Sequence, residues 1–349
     1  MRLTATTRSG VPLREVCARR LHGERTVVSS RTLLDRLVLP VVDQDASPLG
    51  LPARVRLAIE KLKRPRLEDE YVVGKEIGRG RFGVVHQVTH RVTGRTACVK
   101  TITKFRPGEV TCRKNASSGA PLEVEAMAKL KPPCLQLVTW FESPMYVHIV
   151  MELLHGGNLF DLMKARGWQK PRNAAGELWT ATLVASLLQG LVNVHQSGVV
   201  HLDVKLDNLC FRRANDDFLS HQPAVLIDFG SARLLRPEPT AVAQTLGSPS
   251  FVAPEVRFDH VFFPQSDAFS FGVVVFALLM GFLPFDAAKC TSRADFEALY
   301  FCPIEWSRTS ADARAFTRAL LEPDPVKRMS VLDAAEHKWV KALMEPLVA

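Results

Sequence analysis

His201-Leu202-Asp203-Val204-Lys205-Leu206-Asp207-Asn208-Leu209 is the stretch that decides how this chain reads. It sets a carboxylate, an ammonium and a carboxamide at i, i+2 and i+5. It follows the short apolar run Gly198-Val199-Val200 and a long amphipathic helical pattern over 178–196. Each of the three residues is ordinary in an exposed loop. Within six positions they supply a group to orient and deprotonate a hydroxyl, a cation for charge on a moving phosphoryl group, and an oxygen ligand for a hard cation.

Working outward, the apolar strand Ala224-Val225-Leu226-Ile227 ends in Asp228-Phe229-Gly230. A strand that ends in aspartate leaves a carboxylate at a sheet edge, where a divalent cation can take it. Toward the N-terminus, Gly78-Arg79-Gly80-Arg81-Phe82-Gly83 has the G-x-G-x-x-G spacing, which dinucleotide-binding Rossmann domains share. The flanks separate the two. A Rossmann site needs a helix directly after the glycines, whereas Val84-Val85-His86-Gln87-Val88 is strand-like. The pattern is a β-hairpin whose glycine tip admits phosphates close to backbone N–H groups. Lys100 ends the next strand, at the distance that brings its ammonium under that tip. Glu123, on a helix expected over 121–130, is the carboxylate expected to orient it, and Glu125 is the alternative on the same helix.

These segments together resemble a eukaryotic-type protein kinase domain over roughly 71–340. The motifs are the glycine loop, Ala97-Cys98-Val99-Lys100, His201 to Asn208, Asp228-Phe229-Gly230 and Ala253-Pro254-Glu255, in that order. The resemblance implies an α+β, bilobal kinase fold, with a small β-rich N-lobe (71–154) holding one helix and a larger, mostly helical C-lobe (155–343). It implies ATP and Mg²⁺ as cofactors and protein substrates phosphorylated on Ser or Thr. Asp203 would be the catalytic base, with Lys205, Lys100 and Glu123 beside it, and Asn208 and Asp228 the metal ligands. Ile77, Gly78, Gly80, Phe82, Gly83, Val85, Cys98, Lys100, Met151, Glu152, Leu154 and Leu209 would surround the nucleotide. Met151 stands at the gatekeeper position, and Glu152 to Leu154 form the hinge.

Lys205, two residues after Asp203, and Gly247-Ser248-Pro249-Ser250-Phe251-Val252-Ala253-Pro254-Glu255 are similar to serine/threonine kinases of the calcium/calmodulin type. By the same resemblance Asp267 braces the catalytic loop and Arg328 pairs with Glu255. Two positions depart from the pattern. Leu202 replaces the arginine that receives an activation-loop phosphate, which implies activity independent of phosphorylation between Gly230 and Ala253. Asn158 stands where arginine-directed kinases carry an acid. The rival readings are a pseudokinase scaffold, which loses one or more of the residues retained here as Lys100, Asp203, Asn208 and Asp228, and a small-molecule kinase, which lacks the Ala-Pro-Glu segment.

Composition sets the frame. The chain has 349 residues, 47% of them hydrophobic, and a net charge of +9. Five of those nine charges lie before residue 71, where fourteen basic residues face nine acidic ones. Residues 1–70 read as a basic, partly disordered extension with no zinc spacing or interleaved aromatic and basic pattern of a nucleic-acid module. Residues 344–349 read as a tail. Seven cysteines without a C-x-x-C pair point to a reducing compartment, cytoplasm or nucleus, and the first residues lack the apolar core of a secretion signal. The longest apolar run, 271–285, is interrupted by Gly272, Gly281 and Pro284 and reads as a buried helix rather than a membrane span. The sequence is silent on oligomeric state.

Overall fold

The computed structural model describes residues 65–341 apart from 81–82, 107–108, 111, 116–117, 168–172, 214–223, 236–238, 243–245, 298–305 and 307–308. Arg81, Phe82 and the extension up to residue 64 lie outside the described residues. After a short helix α1 (Leu67–Glu70) come β1 (Tyr71–Gly80), β2 (Gly83–His90), β3 (Thr96–Thr103), β4 (Leu137–Glu142) and β5 (Tyr146–Met151). They form one antiparallel sheet in the order β1-β2-β3-β5-β4.

Strand alternation explains the two faces of this sheet. Ala97 and Val99 of β3 join Leu67, Tyr71, Val88, Phe141 and Val150 in a small outer core. Their neighbours Cys98 and Ile102 face the larger core with Met127 and Ile149, and Lys100 between them is 4% exposed. Helix α2 (Leu122–Met127) packs on this second face and buries Glu123, Val124, Ala126 and Met127. It stops three residues earlier than the pattern predicts. Between β3 and α2 a two-residue ladder pairs Phe105–Arg106 with Glu109–Val110.

The following lobe is mostly helical. Helix α3 (Leu159–Ala165) begins where the Asn158 side chain accepts the Asp161 N–H at 2.8 Å. Helix α4 (Ala174–Gln196) starts four residues before the expected 178, because Asn173 caps it by accepting from Gly176 N–H. By length and composition α4 could cross a membrane. In the fold it is a core helix, with Leu183, Leu187 and Leu191 fully buried.

Short strands β6 (Val199–Val200), β7 (Leu209–Cys210), β8 (Val225–Leu226) and β9 (Arg233–Leu234) pair as β7 with β8 and β6 with β9. They hold the loops that carry the polar motifs. Helix α5 (Pro254–Phe258) is followed by α6 (Gln265–Met280), a nearly wholly buried helix. The apolar run 271–285 supplies only its second half. Gly281 takes φ 79°, a left-handed cap that ends the helix. Helices α7 (Arg293–Glu297), α8 (Ala311–Leu320) and α9 (Val331–Ala335) follow among the described residues. A small antiparallel sheet with one helix ahead of a larger helical lobe is the bilobal α+β kinase fold expected from the sequence.

Candidate active site

Three elements bring charge to one point. β3 carries Lys100, α2 carries Glu123, and the turn after β8 carries Asp228. Lys100 Nζ lies 2.6 Å from Glu123 Oε1 and 2.6 Å from Asp228 Oδ1. Glu123 rather than Glu125 is therefore the partner of the lysine. Glu125 instead accepts two bonds from the Asn115 amide, at 2.9 and 2.8 Å. Burial disfavours charge on Lys100, but the two carboxylates outweigh it and hold its pKa above the ordinary value. Asp228 is also opposed by burial, yet Lys100 keeps its carboxyl below the usual range. Fully buried Glu123 bears the desolvation and the repulsion of Asp228, so its carboxyl is raised despite Lys100. One cation thus serves two acids unequally.

Asp228 has φ 64° and ψ 74°, a left-handed conformation that aspartate tolerates better than most residues, and its side chain accepts the Gly230 N–H at 3.3 Å. The preceding loop is held from below. Asp267, on the first turn of α6 and fully buried, accepts from the backbone N–H groups of His201 and Leu202, both at 2.7 Å, and lies 2.9 Å from the His195 ring. Leu202 at φ 62° is buried, and its amide is what Asp267 fixes.

On that base Asp203 meets three donors. Lys205 Nζ reaches its Oδ2 at 3.0 Å, Asn208 Nδ2 the same oxygen at 3.1 Å, and Ser248 Oγ donates to its Oδ1 at 2.9 Å. Lys205 also donates to Ser248 Oγ at 2.8 Å, which closes a three-membered ring of contacts. The carboxylate is 5% exposed and fixed in direction.

Between the lobes lies a cavity of about 710 Å³. The residues expected around a nucleotide, Ile77, Gly78, Gly80, Gly83, Val85, Cys98, Lys100, Met151, Glu152 and Leu154, line it together with Asp203, Lys205, Asn208 and Asp228. One assignment needs correction. Leu209 is fully buried in the core, and its neighbour Cys210 faces the cavity instead. Successive residues of β7 point to opposite faces, so the two cannot both line it. The sequence pattern also missed Leu135, Ile227 and Ser231, which line the cavity. The alternation of the apolar run that ends at Asp228 was the available signal for Ile227. Nothing local marked the other two.

Cys98 and Cys210 carry thiols pushed up to about 12, in both cases first by burial. They are neutral walls, and Cys98 Sγ contacts the Glu152 carbonyl oxygen at 3.3 Å. Gly83 permits the closest approach at the hairpin tip. A Cβ there would sit 2.3 Å from the Thr101 carbonyl oxygen.

The donor set fits a nucleotide with a hard cation. Asp228 offers a carboxylate and Asn208 an amide oxygen, since its Nδ2 is spent on Asp203. The buried Ser231 hydroxyl, also on the cavity wall, has no hydrogen-bond partner among the described residues.

Residues 71–340 match the family model for the protein kinase domain. The chain is 32% identical over 309 residues to calcium-dependent protein kinase 2 of Oryza sativa subsp. japonica, covering 85% of this chain and 56% of that protein. It is 34% identical over 289 residues to calcium-dependent protein kinase 7 of Arabidopsis thaliana, covering 80% and 51%. It is 31% identical over 288 residues to a probable myosin light chain kinase of Dictyostelium discoideum, covering 81% and 69%. The chain spans about half the length of the plant relatives it matches. With its lysine, two carboxylates and catalytic loop gathered in one cleft, and with these similarities across more than half its length, the chain belongs to the eukaryotic-type serine/threonine protein kinase family.

Proposed function

We propose that the chain transfers the γ-phosphoryl group of ATP to serine and threonine hydroxyls of proteins, with Asp203 as the base. The observation that carries this reading is the ring of contacts among Asp203, Lys205 and Ser248. Asp203 is aimed by three donors and accepts the proton of an incoming hydroxyl. Lys205, two residues on, lies where negative charge accumulates as the phosphoryl group moves. Lys100, fixed by Glu123, reaches toward the phosphates below the glycine hairpin. Asp228 and Asn208 would hold Mg²⁺, which when bound neutralises charge on the phosphates. Cys98, Val85 and Cys210 enclose the base, and the 152–154 backbone supplies its hydrogen-bonding edge. Ser248 beside Lys205 favours an aliphatic acceptor hydroxyl.

The site is proposed to work without activation-loop phosphorylation. Leu202 offers no cation to an incoming phosphate, and the Lys100–Glu123–Asp228 contacts are assembled in the unmodified chain. A reducing location, cytoplasm or nucleus, is proposed on the cysteine spacing, which holds no C-x-x-C pair. One experiment tests the activity and its regulation together. Phosphate incorporation into a serine/threonine peptide library is measured with phosphatase-treated wild type and with Asp203→Ala. Treated wild type should retain its rate, and Asp203→Ala should fall by about a hundredfold or more. Equal rates for the two proteins would leave only a nucleotide-binding scaffold. A large loss on phosphatase treatment alone would refute the regulatory part.

A further inference from the structure

One guanidinium joins parts of the chain that lie on opposite sides of the nucleotide cleft. Past β5 the chain crosses into the C-lobe, and residues 155–157 run along the segment that follows β7. His155 N–H donates to the Arg212 carbonyl at 3.1 Å, Gly156 N–H to the Phe211 carbonyl at 2.9 Å, and Phe211 N–H to the Gly157 carbonyl at 3.0 Å. Glycine permits that approach, since a Cβ on residue 156 would lie 2.5 Å from the Phe211 carbonyl oxygen. The pairing brings Arg212, two residues past the cavity-lining Cys210, to the hinge.

There its two terminal nitrogens serve different elements. Nη1 pairs with Oε2 of Glu152, the hinge residue on the cavity wall, and the two side chains are 25% and 26% exposed. Nη2 donates to the carbonyls of Pro133 and, at 3.1 Å, Cys134, in the turn that leads from α2 into β4. Gln136 closes the cluster. Its N–H donates to Glu152 Oε1 at 2.9 Å, its carbonyl accepts the Glu152 N–H at 3.1 Å, and its side-chain amide donates to the Cys134 carbonyl at 2.6 Å. Both carboxylate oxygens and the N–H of Glu152 are thus committed. Its carbonyl accepts from Cys98 Sγ and keeps a second lone pair for a ligand.

We propose that Arg212 is a positioning residue for the nucleotide, a latch between the lobes that fixes the hinge at Glu152 and slows nucleotide exit. Rotation of the lobes about 153–157 would draw the guanidinium away from Glu152 or from the Pro133 and Cys134 carbonyls. Opening of the cleft therefore breaks charged hydrogen bonds. The same contacts hold the turn after α2, and so link the Glu123–Lys100 pair to the hinge. The inference rests on the phosphoryl-transfer reading above for its nucleotide, and concerns binding and release rather than transfer. It is tested with the full chain, Mg²⁺ and N-methylanthraniloyl-ADP, whose release is followed by stopped-flow fluorescence on chase with excess ATP. Thermal melting and peptide phosphorylation are read beside it.

Arg212→Met should release the analogue about tenfold faster and weaken its affinity by a similar factor, the scale of a charged hydrogen bond, with the KM for peptide unchanged. Glu152→Gln should speed release severalfold. The double variant should be no faster than Arg212→Met by itself, because the carboxylate acts through the guanidinium. Arg212→Lys, whose ammonium lacks the planar fork, should fall between wild type and Arg212→Met. Arg328→Lys, which alters a joint away from the hinge, should release the analogue as wild type does even where it melts earlier. Wild-type release from Arg212→Met, effects that multiply in the double variant, or faster release from Arg328→Lys would overturn the latch. Should Arg212→Met not fold, Arg212→Lys and Glu152→Gln decide by the same measure: faster release supports the latch and wild-type release overturns it. Faster release from Arg212→Met in a chain whose wild type phosphorylates no peptide would support the latch and overturn the transferase reading instead.

Discussion

Lys100 keeps its charge at 4% exposure because two carboxylates face it, and neither alone explains the site. Taking charges out of water is costly, so a buried pair holds only where geometry and hydrogen bonds are good. Removing the cation leaves Glu123 buried beside Asp228 with nothing between them. Lys100→Met should therefore lower stability by about 3 kcal/mol, the low end for a broken buried pair, because Glu123 can take up a proton. Transfer should drop at least a hundredfold at the same time. Thermal melting and phosphate incorporation read the two effects. A variant that melts with wild type would show that the triad carries no stability. The thiols of Cys98 and Cys210, both pushed up to about 12, act at this scale only as neutral packing on the cavity wall.

At the scale of elements, α6 is the post on which the catalytic loop rests. Asp267 accepts two backbone N–H groups and contacts the His195 ring, and these contacts tie α4, α6 and the loop together. Burial opposes ionisation of Asp267, but the His195 contact and the His201 amide outweigh it and hold the carboxyl below its ordinary 3.8. The unfolded chain therefore takes up this proton first as pH falls. The stabilisation is complete above about pH 3.8 and disappears as pH drops through the lower folded value. Asp267→Asn should lose about 2–3 kcal/mol near neutral pH, with a smaller deficit in strong acid. Denaturant titrations of both proteins from pH 7 to about pH 3 check this, and parallel curves across that range would contradict it.

The whole molecule depends on a joint remote from the chemistry. Arg328 donates to Glu255 through both terminal nitrogens, at 2.7 and 2.9 Å, and its remaining bonds go to the carbonyls of Gln265, Glu322 and Pro323. Both side chains are buried, and Ser266 completes the Glu255 shell at 2.7 Å. Arg328 thereby fastens the start of α5 and the entry to α6 to a segment 73 residues further along the chain. A lysine could match one of these bonds but not the planar fork. Arg328→Lys should cost about 3 kcal/mol and lower the melting temperature by roughly 6–12 °C, while the KM for ATP stays unchanged in material still folded. A raised KM with normal melting would place this pair in the catalytic machinery instead.

Much of this was legible in the chain alone. Short-range chemistry wrote the glycine hairpin, the Asp203–Lys205–Asn208 spacing and the aspartate at the end of a strand, because each needs particular residue types at fixed separations. Strand and helix periods located the glycine hairpin and helices α2 and α4 to within a few residues. Helix ends were less legible. Asn173 starts α4 and Gly281 stops α6 inside an apolar run that hydrophobicity cannot divide. Sequence determined which groups the protein owns and the order in which it meets them. Helix spacing already favoured Glu123 over Glu125, but tertiary structure alone decided that Cys210 rather than Leu209 faces the cavity and that Phe160 and Phe282 share one groove. Those outcomes turn on which face of an element looks across a cleft, and that is set by packing between segments far apart in the chain.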